Sequence, residues 1–223
     1  NMETPEELVR AVLSGIQPQP RESTQPSKQE EKPSPKLEPR LEAFQAESLG
    51  GMRALKTYTA ELFKSNGTTK AALDACLGFD AGKHNLYLHG PCGSGKSHLA
   101  AIAARKYLGS PQKIMTLSPM KLYRGLRECD GAYAEREYIK SVSLCPVLVL
   151  DDLGAAKDSE FSIATTLEVI HERYMNLPGG LIITSNLGLD ALSEKLGDER
   201  VSSRLVQICG VFNLSGSEDW RGK

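Results

Sequence analysis

Apolar residues follow two different patterns along this chain. They run without a break in Leu86-Tyr87-Leu88, Pro146–Leu150 and Leu181–Thr184, and fall three or four apart in Pro119–Arg127, Tyr133–Val142 and Ser159–Met175. A short unbroken run suits a strand buried on both faces, whereas the wider spacing gives a helix one inward face. Read in order, the pattern predicts strands at 86–88, 113–117, 146–150, 181–184 and 211–214. Around them it predicts helices at 71–77, 97–108, 119–127, 133–142, 159–175, 190–196 and 199–207. Leu49–Lys64 adds another ahead of the first strand, with Met52, Leu55, Tyr58, Thr59, Leu62 and Phe63 at helical spacing. Strands alternating with helices imply an α/β fold whose parallel sheet is covered on both faces. No internal repeat is present.

The N-terminal stretch reads differently. Thr4-Pro5-Glu6-Glu7 is a compact helix start, in which Thr4 can cap, Pro5 suits the first turn and Glu7 completes a capping box. Leu8, Val9, Val12, Leu13 and Ile16 then share one face. So short a helix needs a surface to lie on, either this protein's own core or a partner. Seven of the twelve prolines fall within residues 1–48, mixed with Gln, Ser, Glu and Lys. Such a stretch buries too little apolar surface to offset its ordering entropy and reads as a disordered tether. The expected organisation is a docking helix at 1–16, a tether at 17–43 and a folded domain at 44–223.

Composition narrows the function classes. A net charge of −1 over 223 residues leaves no global basic field, so any nucleic-acid contact must be a local patch. Cys76, Cys92, Cys129, Cys145 and Cys209 form no C-x-x-C pair, and His84, His89, His98 and His171 show no ligand spacing. A reduced protein without structural zinc is expected. No apolar run nears the ~18–20 residues of a membrane span, and none reads as a signal peptide. The expectation is a cytoplasmic protein with no membrane contact.

Candidate chemistry concentrates after the first strand. Gly90-Pro91-Cys92-Gly93-Ser94-Gly95-Lys96-Ser97 fits G-x-x-x-x-G-K-[ST] at every fixed position, between a strand and the head of a helix. Gly93 and Gly95 lack a Cβ, so backbone N–H groups can wrap an anion while the helix points its positive end at it. Lys96 then reaches the β- and γ-phosphates, and the Ser97 hydroxyl ligates Mg²⁺. Together with His98, these residues form the expected ATP-binding set. The bland reading is a glycine-rich turn that happens to precede a lysine.

Two later strand ends join the loop. Val147-Leu148-Val149-Leu150 runs into Asp151-Asp152, and ligands of such sheets bind beyond the carboxyl ends of the strands. Asp151 is expected to hold Mg²⁺ through its water shell, and Asp152 to orient or deprotonate the attacking water. The competing reading of the doublet is a cap for the following helix. Leu181–Thr184 continues into Ser185-Asn186. Asn186 can position the same water or touch the γ-phosphate, although Asn also favours turns.

GPCGSGKSHLA, VLVLDDLG, IITSN and LGDERVSSRL, in this order, resemble the AAA+ ATPases of the DnaC and DnaI helicase-loader and IstB transposition-helper group, from roughly Phe44 onward. The resemblance implies a P-loop AAA+ domain with a five-stranded sheet ordered 5-1-4-3-2, ATP and Mg²⁺ as cofactors, and ATP-dependent self-association. It implies that Arg204 is an arginine finger acting on the neighbouring subunit. Arg200, on the same helix face, is the reserve candidate. Arg221, after Trp220, falls where the group places a sensor arginine near the γ-phosphate. With two residues after it, no full helical lid is expected.

Ser118–Lys140 falls where the group's loaders line a single-strand DNA path, and Lys121, Tyr123, Arg124, Arg127, Arg136 and Lys140 supply cations and a stacking ring, the first four being the candidate contacts. Glu128, Asp130, Glu135 and Glu137 make a solvated helix pair an equal reading of the same segment. Where the loaders add a folded N-terminal domain to grip the helicase, this chain offers one short helix and a tether. The expected function is to load a replicative hexameric helicase onto single-stranded DNA, hydrolysis releasing the loader. The alternative is a transposition helper that coats duplex DNA and stimulates a transposase. A small-molecule P-loop kinase is a third reading, opposed by the ERVSSRL pattern and the lack of an Arg-rich lid.

Overall fold

The computed structural model describes residues 58–107, 114–154, 160–176 and 179–216. The expected docking helix, the tether, residues 49–57 and Arg221 lie outside them. Strands β1 (Leu86–His89), β2 (Ile114–Leu117), β3 (Val147–Leu153), β4 (Gly180–Ser185) and β5 (Gly210–Asn213) form one five-stranded sheet. All pair in parallel, in the order β2-β3-β4-β1-β5. Read from the other edge, this is the order that the resemblance implied. The helices are α1 (Lys70–Leu77), α2 (Lys96–Ala104), α3 (Pro119–Arg127), α4 (Ala132–Ser143), α5 (Glu160–Asn176), α6 (Leu189–Leu196) and α7 (Arg200–Ile208).

Side chains alternate across a strand, so an unbroken apolar strand serves two cores at once. Val147 and Val149 of β3 join Leu86, Leu88 and Ile182 against α1 and α2. Leu148 and Leu150 join Tyr87, Leu181 and Ile183 against α3 to α7. Helix α2 is buried from Leu99 to Ala104 because its alanines let it lie close to the sheet. That contact fixes the glycine loop at its head over the carboxyl ends of β1, β3 and β4.

Two expected helices are shorter than their periodicity suggests. Residues 58–64 make only a single 3₁₀ turn at Ala60–Leu62, flanked by extended Thr59 and Phe63. Their side and main chains serve the loop instead: Tyr58 stacks on His98 at 4.5 Å, and His98 Nε2 meets the Thr59 carbonyl at 2.9 Å. Helix α2 gives way to a 3₁₀ turn at Arg105–Tyr107, where Arg105 donates to the Tyr58 carbonyl and the Tyr107 hydroxyl accepts from the Ala81 N–H. Tertiary partners outweigh propensity in both places.

Strand β3 runs past its expected end at Leu150. Leu150 pairs with Ile183 and Leu153 with Ser185, so β3 carries one residue more than β4 across that interval. This bulge holds the aspartate doublet, and Asp152 sits at φ +63°, in the left-handed region. A non-glycine residue there costs about 1–2 kcal/mol. Hydroxyl groups of β4 make up for the broken ladder. Asp152 N–H donates to Thr184 Oγ1 at 2.8 Å, and Ser185 Oγ donates to the Leu153 carbonyl at 2.7 Å.

Candidate functional site

The loop between β1 and α2 has the backbone that its glycines allow. Gly93 and Gly95 lie at φ +82° and +87°, where a side chain would be strained. A Cβ on Gly95 would also stand 2.7 Å from Phe63 Cε2, so the loop is pressed against the segment that precedes it. Gly95 caps α2 without a side chain, which leaves the first N–H groups of the helix to face an anion. Lys96 is buried and curls back over the loop, its ammonium donating to the carbonyls of Gly90 at 2.9 Å and Pro91 at 2.8 Å. Phosphate oxygens can take the place of those carbonyls, exchanging a dipole for a charge. His89, at the root of the loop, is held below the ordinary histidine range by burial and then by the Lys96 ammonium.

Ser97, Asp151 and Thr184 meet beside the loop. Ser97 Oγ donates to Asp151 Oδ1 at 3.0 Å, and Thr184 Oγ1 donates to the same oxygen at 2.7 Å. The Ser97 proton is thereby committed to a carboxylate, which turns the hydroxyl's lone pairs outward. A hydroxyl oxygen beside a carboxylate is a hard, all-oxygen donor pair, and Mg²⁺ is commonly held by one or two protein oxygens together with phosphates and water. The donor set fits that ion. Among the described residues no group of three His, Cys, Asp or Glu side chains forms a closed metal cage. Asp152 is exposed one position on, and Asn186 is half-buried just after β4. The structure thus brings the expected loop, Asp151, Asp152 and Asn186 to one end of the sheet.

Three features were not foreseen. Thr184 is the first: the sequence places it in the small polar end of a strand without giving it a partner, although a hydroxyl entering a run of buried isoleucines is itself a signal. The second is a cavity of about 480 Å³ alongside the loop, walled by Tyr58, Leu62, Phe63 and Lys64 and by Gly93, Gly95, Lys96, Ser97 and His98. Its aromatic wall was absorbed into the expected 49–64 helix. The third is the pairing of the two late arginines. Arg200 makes a bidentate ion pair with Asp198, at 2.8 Å from each nitrogen, which holds the Asp198 carboxyl below its ordinary range. Arg204, on α7, places its guanidinium 5.6 Å from the ring of Tyr174.

Helix α3 carries Lys121, Tyr123, Arg124 and Arg127 and no acidic residue. Arg124 and Arg127 are exposed. Tyr123 lies between the Phe161 ring, at 5.4 Å, and the Arg127 guanidinium, at 5.7 Å. Met120 and Phe161, each 53% exposed, flank the same strip. The acidic residues of the segment fall in the turn after α3 and on α4, where Glu137 pairs with Lys140. The charged residues of α3 are thus all basic, whereas α4 mixes Glu135 and Glu137 with Arg136 and Lys140.

Comparison with known proteins gives a consistent picture. Residues 43–221 match the family model described as IstB-like ATP binding protein. A putative ATP-binding protein of insertion sequence IS5376, from Geobacillus stearothermophilus, is 28% identical over 144 residues, 63% of this chain and 57% of that protein. The replicative helicase loader DnaC of Escherichia coli (strain K12) is 22% identical over 130 residues, 57% of this chain and 52% of that protein. The chain therefore spans little more than half the length of these curated relatives. Among solved structures, DnaI superposes with a TM-score of 0.58 at 22% identity, covering 76% of this chain and 93% of that one. That likeness is one of fold, the AAA+ fold. No helix among the described residues is long and apolar enough to cross a membrane.

Proposed function

The chain belongs to the IstB-like ATP-binding protein family, and we propose that it couples binding and hydrolysis of MgATP to assembly on DNA on behalf of a partner enzyme. The observation that carries the reading is the meeting of Ser97, Asp151 and Thr184 beside a loop whose buried lysine donates to loop carbonyls that phosphate can replace. In this reading Lys96 leaves Gly90 and Pro91 for the β- and γ-phosphates. Ser97 and Asp151 hold Mg²⁺, which neutralises charge on those phosphates when bound. Asp152 orients a water and takes its proton as the water attacks the γ-phosphorus and the bond to ADP breaks. Asn186 steadies that water from the end of β4.

In this reading a neighbouring copy supplies a further cation for the developing charge. Arg204 suits that part better than Arg200: a cation over a ring is easily withdrawn, whereas Arg200 is locked to Asp198. The α3 strip is the DNA contact, since its arginines meet phosphates and Tyr123, Met120 and Phe161 offer faces for bases. The insertion-sequence relative, which matches at the higher identity, supports the transposition-helper reading, in which the partner is a transposase and the track duplex DNA. Loading of a replicative hexameric helicase onto single-stranded DNA is the second reading, supported by the loader relative.

The test is ATP turnover together with fluorescence anisotropy on single-stranded and duplex DNA, with and without ATP, followed by capture of purified transposase or helicase. ATP-dependent duplex binding with transposase capture supports the first reading. A preference for single strands with helicase capture moves the chain to the second. No MgATP binding at all overturns both.

A further inference from the structure

We infer that Thr184 is a positioning residue for both aspartates, setting Mg²⁺ affinity through Asp151 and turnover through Asp152. The inference rests on reading the loop as a MgATP site. Thr184 is 1% exposed, at the end of an apolar strand. A hydroxyl so placed is costly unless both its donor and its acceptor capacity are used, and here both are spent on the doublet. Its O–H reaches Asp151 Oδ1 at 2.7 Å, and its oxygen accepts the Asp152 N–H at 2.8 Å.

Each bond does a different job. The first fixes the rotamer of Asp151, whose Oδ1 also receives Ser97. Two hydroxyls converging from α2 and β4 leave the carboxylate one orientation, with the Ser97 oxygen beside it. The second holds the left-handed turn at Asp152, φ +63°. At the bulge the ordinary β3–β4 ladder is interrupted between Leu150 and Leu153. A side chain has taken over from the backbone at the position that aims a proposed catalytic carboxylate. Groups that orient metal-binding carboxylates typically matter 10–100-fold in metal affinity.

The experiment follows a fluorescent ATP analogue bound to the full chain while Mg²⁺ is titrated, for wild type, Thr184→Val and Thr184→Ser. Thr184→Val keeps the shape and removes both hydrogen bonds. It should raise the half-saturating Mg²⁺ concentration about tenfold or more, with nucleotide affinity in EDTA unchanged. At saturating Mg²⁺ its kcat should fall as well. Thr184→Ser keeps the hydroxyl and should return both quantities close to wild type, a rescue that a purely packing role for the methyl group would not give. Should Thr184→Val fail to fold, Thr184→Ala carries the same expectation.

A folded Val or Ala variant with wild-type Mg²⁺ dependence and kcat overturns the inference while the site reading stands. If wild type itself shows no Mg²⁺-dependent nucleotide binding, the site reading falls and the inference falls with it.

Discussion

The two ends of the sheet handle the same problem, polar groups left over where strands stop, in opposite ways. At the amino end the protein satisfies most of them with its own parts, leaving Arg173 Nε and Ser143 Oγ buried without a partner among the described residues. Arg173, 2% exposed, spreads its guanidinium over the carbonyls of Ser143, Cys145 and Gly180 at 2.8–2.9 Å. Asn85 donates to the Ile208 carbonyl and accepts from the Leu181 N–H. A Cβ on Gly179 would lie 2.0 Å from the Pro146 carbonyl oxygen, so nothing larger enters there. At the carboxyl end the bonds stay within the site: Lys96 on two carbonyls of its own loop, and Ser97 and Thr184 on the Asp151 side chain. The contrast teaches what a buried cation is for. A planar fork locked on three carbonyls from two separate segments is a rivet, whereas a flexible ammonium on its own loop is a contact waiting to be exchanged.

Variants at the two ends should therefore fail differently. Within one subunit the largest effect on these two ends is expected at the doublet, where Asp152→Asn should bind ATP normally and lose about 10²–10⁴-fold in turnover. Wild-type turnover by that variant would remove Asp152 from its proposed role. Lys96→Ala should lose about 100-fold or more in ATP affinity by equilibrium titration, with a much smaller loss of stability than a change at Arg173. Arg173→Met should do the reverse. Orphaning three buried carbonyls should cost about 3–5 kcal/mol in urea denaturation, while the folded protein binds ATP as before. If Arg173→Met also abolished binding at full folding, the two ends would not be separable.

The smallest effect is at His89. Its folded state takes up a proton less readily than the unfolded chain, because burial and the Lys96 ammonium oppose the charge. Stability from this group is present above the ordinary histidine range and is lost as pH falls through and below it. His89→Gln should flatten that part of the stability profile, and an unchanged acid slope would place its origin elsewhere.

How much of this could be read beforehand depended on whether local pattern or a neighbour decides the geometry. Pro119–Arg127 is helical over the residues expected, because Ser118 caps the Lys121 N–H and proline opens the first turn. The glycine loop was legible because its spacing is itself the constraint. The bulge at Asp151-Asp152 was not, since register exists only between two strands. Nor was the loop-side wall: Tyr58 and Phe63 fit a helical period, yet their partner is His98, stacked at 4.5 Å and met edge-on at 5.3 Å. Thr184 was visible as a residue but not as a partner of Asp151, which lies on a different strand.

The central claim is that the carboxyl end binds MgATP alone but hydrolyses it only when a second copy adds Arg204. Mixing Lys96→Ala with Arg204→Ala tests it most directly, with phosphate release followed while native mass spectrometry confirms mixed assemblies. Each variant alone should be nearly inactive, since a trans arginine of this kind is worth about 10³–10⁵ in rate. The mixture should recover part of the wild-type rate, because some interfaces pair an intact loop with an intact arginine. Mixed assemblies that release no more phosphate than the separate variants would contradict the claim.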